Sequence, residues 1–226
     1  MTDGILLFGG TGRTGFEIAK LLAGRAEQVT AFVRPDKDAS ALEALGITIV
    51  RGDARDSEPV NAAFASDRFR AVISTIGARR GEPGPRADDE GIVCIVDAAK
   101  KHGVQRLLMV TMIGAGDSKS AVSAKVIEFL GDAIIAKTRA ENYLVGSGLE
   151  YTILRPGGLS SDAGTGTGVL TEDHSLMGVI RTADLGRLVV ECLDDDSTVG
   201  HIYHATDPEI KQQAPLQRGE NLPKKR

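Results

Sequence analysis

A chain of 226 residues, 42% hydrophobic and 26% charged, is long enough for one well-packed domain and short for two. Its net charge of −4 argues against nucleic-acid binding, which requires clustered lysines and arginines to neutralise phosphates. The four histidines and two cysteines lack the spacing of metal ligands, so we expect no metal site. Cys94 and Cys192 lie far apart in apolar stretches, which indicates buried thiols in a reducing compartment.

The first apolar run is too short for a signal peptide and follows no basic leader. No segment approaches the length of a membrane span. We therefore expect a cytoplasmic protein without a membrane or nucleic-acid partner.

Short apolar runs alternate with amphipathic stretches, and most of these runs lack the alternation of a half-exposed strand. Such runs are typical of parallel strands covered on both faces. The order of strands and helices predicts an α/β fold with a doubly wound parallel sheet flanked by helices in a single domain. The predicted strands are 5–8, 28–33, 48–50, 71–76, 106–111, 151–154 and 202–205, and the predicted helices are 14–22, 39–45, 58–65, 88–101, 122–145 and 182–193.

Residues near three helix ends have the chemistry of capping groups. Asp56 precedes a helix with proline in its first turn, Gly103 follows a basic last turn, and Thr182 is expected to cap the final helix.

The last third of the chain departs from the alternating pattern. Residues 157–176 are rich in Gly, Ser, Thr and Asp, which predicts a long loop containing a small hairpin. We place a substrate-loop region at 157–180 and the end of the domain at 207. The polar composition of 208–226 predicts a disordered tail unless a neighbouring subunit holds it, which leaves a homo-oligomer open.

A glycine-rich turn joins the first strand to the first helix. Glycine permits a positive φ in such a turn and lets a diphosphate approach the backbone, and the helix N-terminus favours the anion. Tight packing without a ligand is the alternative, but the position between strand and helix favours a dinucleotide. The residues concerned are Gly9, Thr11, Gly12, Arg13, Thr14 and Gly15.

The residue after the second predicted strand bears on the choice of dinucleotide. An acid at this place accepts the ribose 2′-hydroxyl of NAD, but this chain has Arg34, which can pair with the 2′-phosphate of NADP. Arg13 could close on the same phosphate from the glycine turn. Solvated surface arginines are the alternative, and Asp36 lies close enough to serve a ribose hydroxyl. We expect NADP rather than NAD.

Further polar and small residues end the third and fourth predicted strands, where a cofactor would lie. Asp53, followed by Ala54, could accept a hydrogen bond from the adenine amino group, although an ordinary turn aspartate is equally consistent. The fourth strand ends in small residues that would let a ribose lie against the backbone: Ser74, Thr75 and Gly77.

The ordered motifs GGTGRTG, FVR, GDARD, STIGA, GVQRLLMVTMIGAG and SGLEYTILRPGGL resemble the atypical short-chain dehydrogenases, especially the NmrA-like and biliverdin-IXβ/flavin-reductase-like NAD(P)-binding proteins. The similarity covers roughly residues 4–205. It implies a Rossmann fold with NAD(P) across the strand ends. It also implies that the backbone of Arg155, Pro156, Gly157 and Gly158 contacts the nicotinamide end.

The chain departs from ordinary short-chain dehydrogenases at their Tyr-x-x-x-Lys pair, in which lysine assists a proton-donating tyrosine. The alignment places Lys137 at the lysine position, but Ala133 stands where the tyrosine would be. Thr111 occupies the Ser/Thr position, and Lys137 could bind a nicotinamide-ribose hydroxyl. The alternative for Lys137 is a surface lysine paired with Glu141 one turn later.

The evidence that other polar residues belong to the site is weaker. Ser118, Ser120, Ser123 and Lys125 would edge a substrate pocket or simply be surface residues. A lone histidine in a loop, such as His174, is more often solvated than functional. Asp184 fits a charge at the start of a helix.

Two functions from different classes remain, with a third less favoured. The preferred one is an NADPH-dependent reductase of a small conjugated acceptor, such as a flavin, a quinone or a linear tetrapyrrole, that collects its proton from solvent. The alternative is a non-catalytic NADP(H)-sensing regulator of the NmrA-like type. An epimerase or dehydratase is weaker, because such enzymes normally keep the tyrosine and carry a larger C-terminal substrate domain.

Overall fold

An eight-stranded sheet forms the centre of the computed structural model, which describes residues 3–78 and 86–210. Its order is β3-β2-β1-β4-β5-β6-β10-β8, in which β8 runs antiparallel to β10 and the other neighbours are parallel. The first six positions have the Rossmann order, with its reversal between β1 and β4. The strands are β1 Gly4–Phe8, β2 Val29–Val33, β3 Thr48–Arg51, β4 Phe69–Ser74, β5 Arg106–Val110, β6 Glu150–Pro156, β7 Gly158–Ser160, β8 Val169–Thr171, β9 Val179–Arg181 and β10 His201–Thr206.

Helices cover both faces of the sheet. They are α1 Arg13–Gly24, α2 Ser40–Glu43, α3 Ser57–Ala65, α4 Glu90–His102, α5 Ala124–Val145 and α6 Thr182–Leu193, with short 3-10 helices at Gly116–Ala121 and Asp196–Thr198. One apolar layer packs α1, α2 and α6 against the sheet, and a second packs α3, α4 and α5 against the other face. The predicted Rossmann-type doubly wound fold in a single domain is confirmed. None of the helices in the described part of the chain combines the length and apolar character that crossing a bilayer would require.

Two of the three predicted helix ends are present. The Asp56 carboxylate accepts the Glu58 N–H at 3.1 Å, and Gly103 ends α4 with a φ of 74°. Thr182 is not a cap, because the helix is preceded by Arg181 and the Thr182 hydroxyl donates to the Ser160 carbonyl at 2.8 Å. Both cysteines are free thiols, but Cys94 is only half-buried.

The predicted hairpin within 157–176 is wrong. β7 pairs in parallel with β9, and β8 adds to the edge of the main sheet beside β10. Each of these strands has only three residues and pairs with a segment distant in sequence. The local sequence therefore shows no alternation of apolar and polar residues from which the strands could be predicted. Residues 211–226, most of the predicted tail, lie outside the described residues.

The packing of α1 predicts a strong contrast between two adjacent leucines. Leu22 is fully buried in the α1 layer, whereas Leu21 is 37% exposed. We expect Leu22→Ala to lower the free energy of unfolding by about 2–5 kcal/mol, since it leaves a cavity. Leu21→Ala is the matched control, with an expected loss below about 1 kcal/mol. Urea unfolding of both variants measures the difference, and equal losses would contradict the assigned face of α1.

Candidate functional site

The turn between β1 and α1 can receive an anion. Gly9 has a φ of +85°, and a Cβ there would lie 2.5 Å from Thr75 Oγ1. A Cβ on Gly15 would collide with the carbonyl oxygen of Gly9, so glycine is required for α1 to begin this close to the turn. No side chain caps α1 at Gly12, and its first turn, which includes the buried Thr14, has no acidic residue. The backbone amides and the helix dipole therefore favour a diphosphate here.

A cavity of about 240 Å³ lies beside this turn, at the ends of β1, β2, β3 and β4. Its position at the reversal of the strand order is where dinucleotides bind in this type of sheet. Predicted cofactor-binding residues that line it are Gly9, Thr11, Gly12, Arg34, Asp53, Ala54, Thr75 and Gly77. Sequence reasoning missed Phe32, Val33, Lys37, Ile76 and Ala87, most of which look like ordinary core residues.

A second cavity, of about 630 Å³, opens on the other side of the glycine turn. Arg13 lines this second cavity and donates to Ser161 Oγ at 3.3 Å, whereas Arg34 lines the first. The two cavities share Thr11 and Gly12. The structure therefore does not bring Arg13 and Arg34 into one cavity, although both flank the same turn.

The polar residues at the ends of β3 and β4 have partners of their own. The Asp53 carboxylate accepts the Arg55 backbone N–H at 2.9 Å and its guanidinium at 2.5 Å, and these bonds from Arg55 lower the pKa of Asp53. Thr75 Oγ1 lies 3.3 Å from the Gly9 carbonyl, and Ser74 is fully buried. The Ser74 hydroxyl has no hydrogen-bond partner among the described residues. Asp53 thus has the geometry of a turn aspartate while still lining the cavity.

Lys137 is buried at the strand ends rather than exposed on α5. Its Nζ donates to the carbonyl oxygens of Ile76, at 2.6 Å, and Val110, at 3.3 Å. Burial lowers the pKa of this ammonium. The alternative of a surface lysine is wrong, because only 7% of the residue is exposed.

Thr111 belongs to a buried polar cluster around Glu141, which lies one turn of α5 after Lys137. Its hydroxyl donates to Glu141 Oε1 at 2.6 Å, so this proton is committed to Glu141 rather than offered to a substrate. Glu141 also accepts from Arg155, from Nε at 3.0 Å and from Nη2 at 2.8 Å. Both side chains of this ion pair are 2% exposed. The sequence prediction gave Glu141 only a surface role and missed Arg155 as a structural cation.

The ion pair extends outward through Asp117 to His174. Arg155 Nη1 donates to Asp117 Oδ1 at 2.5 Å, and His174 Nδ1 lies 2.9 Å from Asp117 Oδ2. Burial raises the pKa of Asp117, but the hydrogen bonds from His174 and Arg155 outweigh it and lower the pKa to about 2. Five segments are thereby joined: the end of β5, α5, β6, the 3-10 helix and the loop before β9. His174 is therefore not the solvated loop histidine that we expected.

Gly116 makes the ion pair possible. It has a φ of +57°, and a Cβ there would collide with the Arg155 guanidinium and lie 2.8 Å from Glu141 Oε2. Its N–H donates to Thr138 Oγ1 at 2.9 Å, which fixes the 3-10 helix against α5.

Other polar candidates stabilise the backbone near the site. Ser118 Oγ donates to the Ala115 carbonyl at 2.7 Å, and Ser123 caps α5. Asp184 accepts the N–H groups of Thr165 and Gly166 at 3.1 and 2.7 Å. Asp184 therefore holds the loop at 165–166 in addition to lying at a helix start.

The turn after β6 is tightly constrained by its own chain. The Pro156 carbonyl accepts the Ile113 N–H at 2.9 Å, and the Gly158 N–H donates to the Gly178 carbonyl at 3.0 Å. A Cβ on Gly157 would collide with that same Gly178 carbonyl. The turn thus joins β6 to the segment before β9 beside the site, and its contact with a nicotinamide stays a prediction.

Comparison with known proteins agrees with this geometry. The model of a family described as NAD(P)H-binding matches residues 9–196. The chain belongs to this NAD(P)H-binding family. The resemblance to NAD(P)-binding proteins drawn from the motifs is therefore confirmed.

The proteins that this chain resembles have different described functions. The structure of ChuY, an anaerobillin reductase from Escherichia coli O157:H7, superimposes with a TM-score of 0.84 at 30% identity, covering 93% of this chain and all of that one. An uncharacterized chloroplastic protein of Arabidopsis thaliana is 34% identical over 203 residues, which cover 85% of this chain and 72% of the relative. The uncharacterized sugar epimerase YhfK of Bacillus subtilis is 29% identical over 207 residues, covering 90% and 94%.

Among the described residues, no tyrosine hydroxyl lies beside Lys137 in the candidate site. The chain has three tyrosines. The Tyr143 hydroxyl donates to Asp97 at 2.7 Å, Tyr203 stacks on His201, and Tyr151 lies at the start of β6, the opposite end from the site. None of the three tyrosines therefore stands at the position that Ala133 occupies on α5.

The buried ion pair between Glu141 and Arg155 predicts that an isosteric change at Glu141 strongly destabilises the protein. We expect Glu141→Gln to lower the free energy of unfolding by about 3–5 kcal/mol, because it leaves the buried Arg155 charge without its main partner. Glu191→Gln is the matched control, since Glu191 is half-exposed in a surface pair with Arg187, and its loss should stay below about 1 kcal/mol. Thermal unfolding measures both, and a Glu141 effect as small as the control would show that the pair is not essential.

Proposed function

We propose that this chain is an NADPH-dependent reductase of a small conjugated acceptor, such as a flavin, a quinone or a linear tetrapyrrole. The observation that carries the proposal is the buried Lys137 ammonium at the ends of β4 and β5, with Ala133 one turn earlier and no tyrosine hydroxyl nearby. An acceptor with an extended conjugated system suits such a site, because it can take up hydride and collect its proton from water. The name of the anaerobillin reductase ChuY supports the same substrate class by analogy.

The residues of the glycine turn fit a dinucleotide. Gly9 and Gly15 keep the backbone free of side chains where a diphosphate would lie, and the α1 amides would bind it. The bound nicotinamide would supply the hydride. Lys137 would hold a ribose hydroxyl at the strand ends.

NADPH rather than NADH is supported by the charges around the first cavity. Arg34 and Lys37 both line it. Arg51 donates to the backbone carbonyls of Arg34, at 3.3 Å, and of Lys37, at 2.8 Å, which fixes this loop. Asp36 is the opposing consideration, since its carboxylate lies 3.9 Å from Arg34 Nε. A 2′-phosphate would complement the two cations more fully than a hydroxyl would.

The role of Arg34 can be tested by cofactor preference. We expect Arg34→Ala to raise the KM for NADPH roughly 10- to 100-fold and to leave the KM for NADH nearly unchanged, since only NADPH carries the phosphate. Arg25→Ala is the control, because Arg25 pairs with Asp194 at the far end of α1. Equal changes with both dinucleotides would exclude Arg34 as a phosphate ligand.

The role of Lys137 can be tested by turnover. We expect Lys137→Met to lower kcat/KM by about 100-fold, because the ribose and the ring it carries lose their orientation. Lys100→Met, at an exposed position of α4, is the control. The assay follows NADPH oxidation with flavins, quinones, linear tetrapyrroles and conjugated carbonyls, together with direct measurement of NADPH binding.

The same assay separates the two other functions. Tight NADPH binding without oxidation by any acceptor would favour the sensing regulator. Interconversion of sugar nucleotides without net NADPH consumption would favour the epimerase named among the relatives. Oxidation by conjugated acceptors, reduced in the Lys137 variant, is the result expected of the reductase.

A further inference from the structure

Two histidines anchor the segment 172–178, which joins β8 to β9 and lies against the 3-10 helix and β10. Five residues of this segment are exposed, whereas His174 is half-buried. The ring of His204, in β10, stacks on that of His174 with centroids 5.0 Å apart and planes 15° apart. His204 Nδ1 donates to the Leu176 carbonyl at 2.8 Å. The segment is thus held by one imidazole of its own and by one from the sheet.

The partners of His174 fix its protonation state. Nδ1 lies 2.9 Å from Asp117 Oδ2, and Nε2 lies 2.9 Å from the carbonyl oxygen of Ile202. Both partners only accept hydrogen bonds. A neutral imidazole has one N–H and can satisfy only one of them, whereas the imidazolium satisfies both. The observed arrangement is therefore that of a doubly protonated ring.

The ring of His204, in contrast, is neutral. It is fully buried, and burial lowers its pKa, so the ring is neutral. Its Nδ1 carries the proton donated to Leu176, and Nε2 has no partner among the described residues. The stack therefore joins a cation to a neutral ring, whereas two cations would repel each other.

Charged and titratable groups face His174 from several elements. Asp117 faces it from the 3-10 helix, Asp173 belongs to its own segment, and His204 faces it from β10. Arg155 lies behind Asp117, and its charge is balanced by Glu141 from α5. Because Asp117 has a pKa of about 2, it stays ionised throughout the range in which histidines ordinarily titrate.

We propose that His174 is a positioning residue that tethers the segment 172–178 to the 3-10 helix and β10 as an imidazolium and loosens it when the ring loses its second proton. The carbonyl of Gly178, at the end of the segment, accepts from the Gly158 N–H in the turn after β6. Loosening of the segment would therefore also loosen this turn. The consequence for turnover rests on the reductase function proposed above, whereas the tether itself does not.

The direction of the pH dependence follows from the protonation state of His174, because only the charged ring can donate to both acceptors. The bridge to both acceptors needs the second proton, so the tether weakens as the pH rises. Since one proton is linked to closure, the equilibrium for opening can change by up to about tenfold per pH unit.

Amide hydrogen exchange of the whole protein tests the tether without any need for turnover. The quantity compared is the protection factor of amides in 172–178, corrected for the intrinsic pH dependence of exchange, between about pH 6 and about pH 8. We expect the wild-type protection in this segment to fall about tenfold or more over this range, while the amides of β1 and β5 stay protected. Constant protection in the segment would overturn the proposal.

Three variants identify the group responsible. His174→Gln cannot bridge both acceptors, so the segment should be poorly protected at both pH values. His174→Arg keeps a cation with several donors and should retain protection at the higher pH. His102→Gln is the control, because this exposed histidine at the end of α4 bonds Asn61 of α3 and not the segment, so the pH dependence should stay unchanged. A wild-type pH dependence that persists in His174→Gln, or is lost in His102→Gln, would assign the proton to another group.

Steady-state kinetics then test the positioning role separately. For an acceptor that turns over, we expect His174→Gln to raise the acceptor KM several-fold with little change in the KM for NADPH, and His174→Arg to restore it. If exchange confirms the tether and no acceptor is reduced, the reductase function fails while the tether stands. If acceptors are reduced with an unchanged KM in His174→Gln, the positioning role is wrong.

Discussion

The buried ion pair between Arg155 and Glu141 joins the elements that carry the site. Removing two charges from water is costly, and the pair is tolerable here because its other hydrogen-bonding groups are also satisfied. Thr111 donates to the carboxylate, and Asp117 accepts from the guanidinium. The pair thereby fixes α5 relative to the ends of β5 and β6. This also fixes the position of Lys137, which lies one turn earlier in α5.

Lys137 and Glu141 lie one turn apart on the same face of α5, and each bonds the sheet at a different level. Lys137 contacts backbone carbonyls at the ends of two strands, whereas Glu141 contacts side chains one level lower. In the Rossmann members of this NAD(P)H-binding family, the strand ends are where a cofactor lies. Because both residues make buried polar contacts, α5 cannot rotate or slide without breaking them. The position of the Lys137 ammonium therefore depends on the contacts of Glu141 as well as on its own two hydrogen bonds.

Much of the fold could be predicted because its signals are local. Apolar runs without alternation indicated the parallel strands, and the glycine turn indicated the first βα unit. β4 ends at Ser74 rather than at 76, because Thr75 already bonds the glycine turn. The three-residue strands around 157–180 were missed, since their pairing is with distant segments and their composition is that of a loop.

The candidate site was only partly predictable for a different reason. Glycines that line a cavity have a recognisable spacing, but buried charged residues look like surface residues in a sequence. Glu141 appeared to be a surface partner for Lys137, and Arg155 was noticed only as part of the turn after β6. His174 had no signal of its own, because its importance depends on Asp117 and on a backbone carbonyl of β10.

The space left by Gly116 couples three positions that are far apart in the sequence. A side chain at 116 would occupy the volume of the Arg155 guanidinium, and the backbone there is in the left-handed region. Homologous chains that retain an arginine at 155 and an acid at 141 are thus restricted to glycine at 116, while chains that replace the pair by apolar residues are freed from that restriction. Evolution at these three positions is therefore expected to be correlated, with substitutions arriving together rather than singly.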